Sequence, residues 1–325
     1  MPAAPAPGPR IESRILDIPA AGDAGTQIPV TTITGARPGP ALALVAGNHG
    51  YEYPPILALQ QLRGRIDPAR LAGTVVMVQV ANMPSFLGRT VYFSPVDGKN
   101  LNRCYPGSAD GTVSERIAHA ITAEIIVRAD FLLDLHCGDG NEWLRPYVYQ
   151  TVTGDSRVDA GNARLALAFG IDHILVDRGR PKDAERSVYC SNTAITRGKP
   201  AITVESGSLG GTDAKSVDLI VAGVEGVLRE LGMVESGPAA LAAAVYLDPS
   251  EVVFSPATGI LYPHVEPDQA VKQGDVLAHI TDFFGETVAE VRSPLAGKVL
   301  YIVATPPITK GQPVACVGTP RNAPA

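Results

Sequence analysis

Gly47-Asn48-His49-Gly50-Tyr51-Glu52 and, far downstream, Leu132-Leu133-Asp134-Leu135-His136 carry the side chains with the clearest chemistry in the chain. A catalytic zinc site takes three protein ligands and keeps a fourth position for water, and a close pair plus a distant third ligand is one way to supply them. His49, Glu52 and His136 meet that need. Each alone has an ordinary explanation, a hydrogen-bonded structural imidazole or a solvated turn carboxylate. Together, beside Gly47, Gly50, Gly138 and Gly140, which permit close backbone approach, they point to one zinc per chain. Cys137 follows His136 directly and could compete as a thiolate, but neighbours in extended chain point to opposite faces, so His136 is expected to ligate and Cys137 to pack. His119, His173, His264 and His279 read as structural.

The ligands need rigid elements to hold them. Ala41–Ala46 is a short apolar run ending in glycine, which suits a buried parallel strand, with His49 and Glu52 in the turn after it. The next segment, residues 54–62, starts with two prolines and repeats its apolar residues at helical spacing. Phe131–Leu135 predicts a second buried strand with His136 just beyond it, Ala201–Val204 a third with Glu205 just beyond it, and residues 74–80 another central strand. In open α/β sheets the ligand crevice lies outside the carboxyl ends of the strands, so three such ends converge on one site. Thr112 and Glu115 have capping-box spacing at the start of a helix whose Ile117, Ile121 and Ile125 form a core stripe.

Residues 1–237 therefore read as an α/β catalytic domain, a mixed sheet flanked by helices, and residues 238–325 as a smaller all-β domain. The joint falls in residues 232–246, where a run of alanines also allows a short helix. Beyond it lies an internal repeat: residues 252–261, with Ser255-Pro256, are echoed by residues 290–299, with Ser293-Pro294, and each half carries a later glycine turn at Gly274 or Gly311. Two such halves resemble the flattened barrel of biotinyl and lipoyl carrier domains. Carriers hold a modifiable lysine in the turn between halves; here that turn is Thr281-Asp282-Phe283-Phe284-Gly285-Glu286. Without the reactive amine, the expected role is a wall beside the cleft or an assembly surface.

Taken in order, the motifs resemble those of the succinylglutamate desuccinylase/aspartoacylase family of zinc-dependent, carboxypeptidase-like hydrolases. Residues 47–52 resemble its first metal motif, Asp134-Leu135-His136 its second, and Asn100-Leu101-Asn102-Arg103 with Pro106-Gly107 its substrate-binding motif. Thr203-Val204-Glu205-Ser206-Gly207 stands at the position of its catalytic glutamate. The resemblance implies a carboxypeptidase-like fold, Asn102 and Arg103 as substrate ligands, and Arg89 as the arginine that steadies the carbonyl oxygen as it gains charge. Arginine chemistry suits both roles, because a guanidinium meets a carboxylate through two parallel hydrogen bonds and stabilises developing charge as a fixed cation. The aspartoacylases have a further substrate arginine about ten residues before the catalytic glutamate; here the nearest is Arg197, out of register.

Zinc polarises a carbonyl and activates water, which leaves proton transfer to the leaving nitrogen as the task for Glu205. The leading expectation is a zinc-dependent amidohydrolase that removes an acyl group from a small N-acyl amino acid or related carboxylate-bearing metabolite. A metallocarboxypeptidase acting on short peptides is the alternative, and a metal-binding protein without catalysis ranks third. A net charge of −6 and a pI near 5.5 give no basic footprint for nucleic acid or anionic membrane. No apolar run approaches a membrane span, residues 1–7 lack the charged and apolar regions of a signal peptide, and four scattered cysteines suit a reducing compartment. The expected setting is cytoplasmic, with homo-oligomerisation left open.

Overall fold

The computed structural model describes residues 8–235 and 244–323. Through the N-terminal part the chain runs β1 (Arg10–Ile18), β2 (Thr26–Thr34), β3 (Arg37–Ala46), α1 (Tyr53–Arg65), β4 (Ala72–Val78), α2 (Met83–Gly88), α3 (Val113–Glu124), β5 (Phe131–Gly138), β6 (Glu142–Leu144), β7 (Tyr147–Thr151), α4 (Ser156–Phe169), β8 (His173–Asp177), α5 (Cys190–Ile195), β9 (Ala201–Ser208) and α6 (Ala214–Glu230). The C-terminal part is all strand: β10 (Val245–Phe254), β11 (Gly259–Pro263), β12 (Ala270–Val271), β13 (Val276–Thr281), β14 (Thr287–Arg292), β15 (Gly297–Val303), β16 (Pro307–Ile308) and β17 (Pro313–Arg321).

The apolar runs form the middle of a mixed sheet. Its order is β1-β2-β4-β3-β5-β9-β7-β8-β10-β17-β15-β12, with β6 paired to β15. The centre, β4-β3-β5-β9, is parallel, and β2 and β7 flank it antiparallel. Alternate residues of β3 serve two separate cores, as a strand buried on both faces requires. Leu42, Leu44 and Ala46 pack with Ile56, Leu59 and Leu62 of α1, Phe169 of α4 and Ile220 and Val224 of α6. Ala43 and Val45 face Ile117 and Ile121 of α3 and Ala194 and Ile195 of α5. The isoleucine stripe of α3 is core, and its capping box forms: the Thr112 amide donates to Glu115 Oε2 at 2.8 Å.

Two expectations change. His136 and Glu205 do not lie beyond their strands but inside β5 and β9, directly opposite one another in register. Pairing continues past the apolar residues because each strand has a neighbour to bond to, and it breaks only at a bulge between His136 and Gly138. Gly207 in that region has φ +109° and sits against Pro54, so an L side chain has neither the backbone angle nor the space. The boundary expected at 237/238, the alanine stretch and the N-terminal lead of residues 1–7 fall outside the described residues.

The C-terminal strands form a smaller antiparallel sheet, β14-β13-β11-β16, packed on the far end of the large one around Leu277, Ile280, Val299, Ile302 and Val317. That far end is continuous with the N-terminal part, since β10 pairs in parallel with β8 and β6 pairs with β15. Leu144, Tyr147 and Leu175 bury against Leu247, Leu300, Tyr301 and Cys316 at the junction. The repeat is visible as matching hydrogen bonds. Ser255 Oγ donates to the Ala257 carbonyl at 2.6 Å and Ser293 Oγ to that of Leu295 at 2.7 Å, while the amides of Gly311 and Gly274 donate to the carbonyls of Ser255 and Ser293, both at 2.8 Å. Each half thus clasps the serine turn of the other. The turn between halves, residues 281–286, presents Phe284, 94% exposed, and contains no lysine. The purified protein is accordingly expected to have the unmodified mass by intact mass spectrometry, and a lipoyl or biotinyl increment mapped to Lys272, Lys298 or Lys310 would overturn that expectation.

Candidate metal centre and catalytic cleft

Gly47 ends β3 with φ +71°, a turn that favours glycine, and leads into the segment that carries His49 and Glu52 ahead of α1. His136 arrives from β5, the strand next to β3. One ligand atom from each of His49, Glu52 and His136 lies within 4.8 Å of the others, and all three residues are buried. Glu52 is the hub. Its Oε1 lies 2.7 Å from Nδ1 of His49 and 2.7 Å from Nδ1 of His136, and its Oε2 accepts the His49 amide at 3.0 Å.

The outer nitrogen of each imidazole is held as well. His136 Nε2 lies 2.9 Å from Asp134 Oδ1, and His49 Nε2 lies 3.1 Å from Asn100 Oδ1. With Nε2–H donating outward, both rings turn Nδ1 to the same point, the arrangement that fixes the tautomer of a metal-binding histidine. Asp134 is fully buried and also accepts from Asn48 Nδ2 at 2.9 Å and the Ser191 amide at 3.2 Å, so it cannot swing away. Replacing Asp134 by Asn is expected to weaken metal binding about 10–100-fold, the usual effect of losing such an outer partner. Competition against a chelating dye measures it, and an unchanged affinity would reduce Asp134 to a packing residue.

Electrostatics give the same fit. Burial alone opposes charge on all three groups, yet Asp134 and Glu52 hold His136 well above the usual histidine range, Glu52 raises His49, and the two imidazoles hold Glu52 far below the usual carboxylate range. Around them Asp139 is pushed up to about 6 and Glu142 to about 7, in both cases chiefly by burial. A cavity of buried carboxylates whose histidines are driven to take up protons suits a divalent cation in place of those protons. The donor set, two imidazoles and one carboxylate, suits zinc.

Glu205 sits across from His136 and from Tyr147 of β7. Its carboxyl accepts no hydrogen bond among the described residues. Burial raises it well above the usual carboxylate range, with Glu52, Glu142 and Asp134 adding to the rise and His136 opposing it. Such a group is suited to hold a proton and pass it on. Asn102 is buried, with Oδ1 taking the Cys190 amide at 2.9 Å and Nδ2 3.4 Å from His136 Nε2. Arg103 is exposed, has no carboxylate partner among the described residues, and lies over the Tyr189 ring at 4.6 Å. Arg89 is exposed at the end of α2 with φ 51° and makes no hydrogen bond to the triad. Arg197 donates to the carbonyls of Ala184 and Thr193 and braces a loop. Cys137 is buried with Sγ 3.9 Å from the Tyr51 carbonyl, outside the three-residue group.

Sequence reasoning passed over several contributors. Asp134 and Asn100 lie inside motifs singled out for their neighbours, and their value depends on which ring nitrogen they meet. Asp139 takes the amides of Tyr51 and Tyr92, each at 2.8 Å. Tyr92 sets its ring edge-on to His49 and donates to Glu142 on β6. These contacts join segments distant in sequence, and no periodicity announces them.

Residues 38–231 match the family model for the succinylglutamate desuccinylase/aspartoacylase catalytic domain. The N-alpha-acetyl-L-2,4-diaminobutyric acid deacetylase of Halomonas elongata is 32% identical over 291 residues, which cover 86% of this chain and 83% of the relative. Among solved structures, the succinylglutamate desuccinylase/aspartoacylase of Rhodobacter sphaeroides superposes with a TM-score of 0.84 at 25% identity, covering 98% of this chain and 97% of the other. The product-bound ectoine utilization protein of Ruegeria pomeroyi gives 0.85 at 27% identity, covering 98% of both chains.

Proposed function

The chain belongs to the succinylglutamate desuccinylase/aspartoacylase family, and from that membership we propose that it is a zinc-dependent deacylase that hydrolyses the amide bond of a small N-acyl amino acid, with an N-acetylated diamino acid as the leading substrate. One observation carries the reading: His49, Glu52 and His136 share a buried point, and Glu205 stands opposite His136 with its carboxyl uncommitted. The substrate class rests on the Halomonas elongata deacetylase, which is similar over most of both chains.

Zinc bound by this triad would polarise the acyl carbonyl and lower the pKa of a water towards ~7. The protein residues have separate tasks. Asp134 and Asn100 hold the two imidazoles turned so that both Nδ1 atoms face one point. Glu205, ionised beside a bound cation, would take the proton from the attacking water and give it to the amide nitrogen, which otherwise would leave as an unstable anion. Arg103, free of any carboxylate of its own among the described residues, receives the substrate carboxylate, and Asn102 beside it offers Nδ2. Arg89, exposed at the end of α2, takes the role of steadying the carbonyl oxygen. The C-terminal strands act as a wall: β15 holds β6, and β6 carries Glu142, the partner of Tyr92 beside His49.

Zinc-loaded protein assayed with N-acetyl-L-2,4-diaminobutyrate, N-acetyl-L-aspartate and N-succinyl-L-glutamate tests the proposal by release of the free amine. The diamino acid derivative is expected to turn over with the highest kcat/KM. Full zinc occupancy without amide cleavage of any of the three would sink it.

A further inference from the structure

A second cavity, of about 210 Å³, lies between the start of α4, the loop after β8 and the end of α5. None of His49, Glu52, His136 or Glu205 lines it. Its wall mixes Val152, Val158, Pro181 and Ile195 with polar groups, some of which keep bonding capacity to spare. Thr151, 5% exposed, has a hydroxyl with no hydrogen-bond partner among the described residues. Asn192, 1% exposed, spends both Nδ2 hydrogens on the carbonyls of Pro181 and Ser187, each at 2.8 Å, and leaves Oδ1 unpaired. A polar atom without a partner at a cavity wall is free to bond a ligand.

The charges are arranged with both signs. Arg180 donates through Nε to Asp177, its guanidinium lies over the Tyr189 ring at 4.0 Å and the Tyr149 ring at 5.3 Å, and its two terminal nitrogens make no hydrogen bond among the described residues. Lys182 stands exposed at the rim with no ion pair among the described residues. Asp155, also at the rim, uses Oδ1 to accept the amides of Arg157 and Val158 and keeps Oδ2 free. The Lys182 cation, the free terminal nitrogens of Arg180 and the Asp155 carboxylate around a single small cavity match a molecule that carries an anion and an ammonium together. A dianion such as phosphate would meet Asp155 unfavourably and leave the oxygens unpaired.

We propose that this cavity is a second binding site, separate from the catalytic cleft, for a small zwitterionic amino acid: its carboxylate pairs with Arg180 and Lys182, and its ammonium meets Asp155 and the Thr151 hydroxyl. Arg180 belongs both to this cavity and to the aromatic wall beside Arg103, which gives the site a direct mechanical neighbour in the cleft.

Titration of the isotope-labelled, zinc-loaded protein with L-glutamate, followed by amide chemical shifts, tests the assignment. Saturable shifts are expected at Thr151, Thr153, Asn192 and Thr196 and should persist in Arg103→Met. Lys182→Glu should weaken them about tenfold or more, as reversal of a pairing charge does. Turnover of Lys182→Glu without added glutamate should stay within about twofold of the parent, since Lys182 touches nothing in the catalytic machinery. The proposal is overturned if these amides do not respond, if they respond to inorganic phosphate and not to glutamate, or if the response survives Lys182→Glu and vanishes in Arg103→Met, which places the ligand in the cleft.

Discussion

Glu205→Gln is expected to reduce single-turnover deacylation by about 10²–10⁴-fold while zinc content and fold stay as in the parent. The substitution keeps the shape of the side chain and removes its ability to carry a proton. Glu205 is not one of the three ligands and accepts no hydrogen bond among the described residues, so nothing structural depends on its charge. Relief of a buried carboxyl can even stabilise the fold slightly. Loss at the upper end of that range is expected if one carboxyl serves both water activation and departure of the amine, because both steps then fail together. KM should move much less than kcat, since Arg103 lies on another segment and remains free for the substrate carboxylate. Near-parental turnover with zinc bound would make Glu205 a structural strand residue and remove the proposed mechanism.

How much of this was legible in the chain depends on the distance over which each feature is decided. The parallel strands around residues 41–46, 74–80, 131–135 and 201–204 were readable because burial on both faces leaves a continuous apolar run. The grouping of His49, Glu52 and His136 was readable because residue type and strand-end placement coincide. Strand ends were not. β5 and β9 run on through His136 and Glu205 because each supplies the other's hydrogen bonds, and pairing across a sheet leaves no mark in either segment alone. The same reason hides the joining of the two parts. Val245 pairs with His173 and Trp143 with Ile302, so what reads as a catalytic unit followed by a small β unit shares one sheet. The repeat at Ser255 and Ser293 fared better, because each half repeats the same local turn chemistry. Arg180 was invisible for the opposite reason: its partners Tyr149, Tyr189 and Asp177 come from three segments.

Removal of any one ligand, as His49→Ala, Glu52→Ala or His136→Ala, is expected to cost the protein its zinc and its turnover together. An open site with only three protein ligands has no spare donor, and Cys137, the nearest thiol in sequence, lies outside the group. The three variants should not be equal. Glu52→Ala deletes the one atom that lies 2.7 Å from both imidazoles, so two buried histidines lose their shared anion and the metal its central donor. His49→Ala leaves Glu52 with His136, and His136→Ala leaves Asp134 still satisfied by Asn48 and Ser191, so both retain more of the surrounding network. Metal analysis should therefore rank Glu52→Ala lowest. Chelation gives an independent reading. A ligand present at a thousand times its dissociation constant stabilises the folded state by about 4 kcal/mol, so stripping zinc should lower the melting temperature of the parent and leave that of the variants almost unchanged. If all three variants hold a full equivalent of zinc, the metal sits elsewhere, and the cluster around Glu52 is a buried hydrogen-bond network.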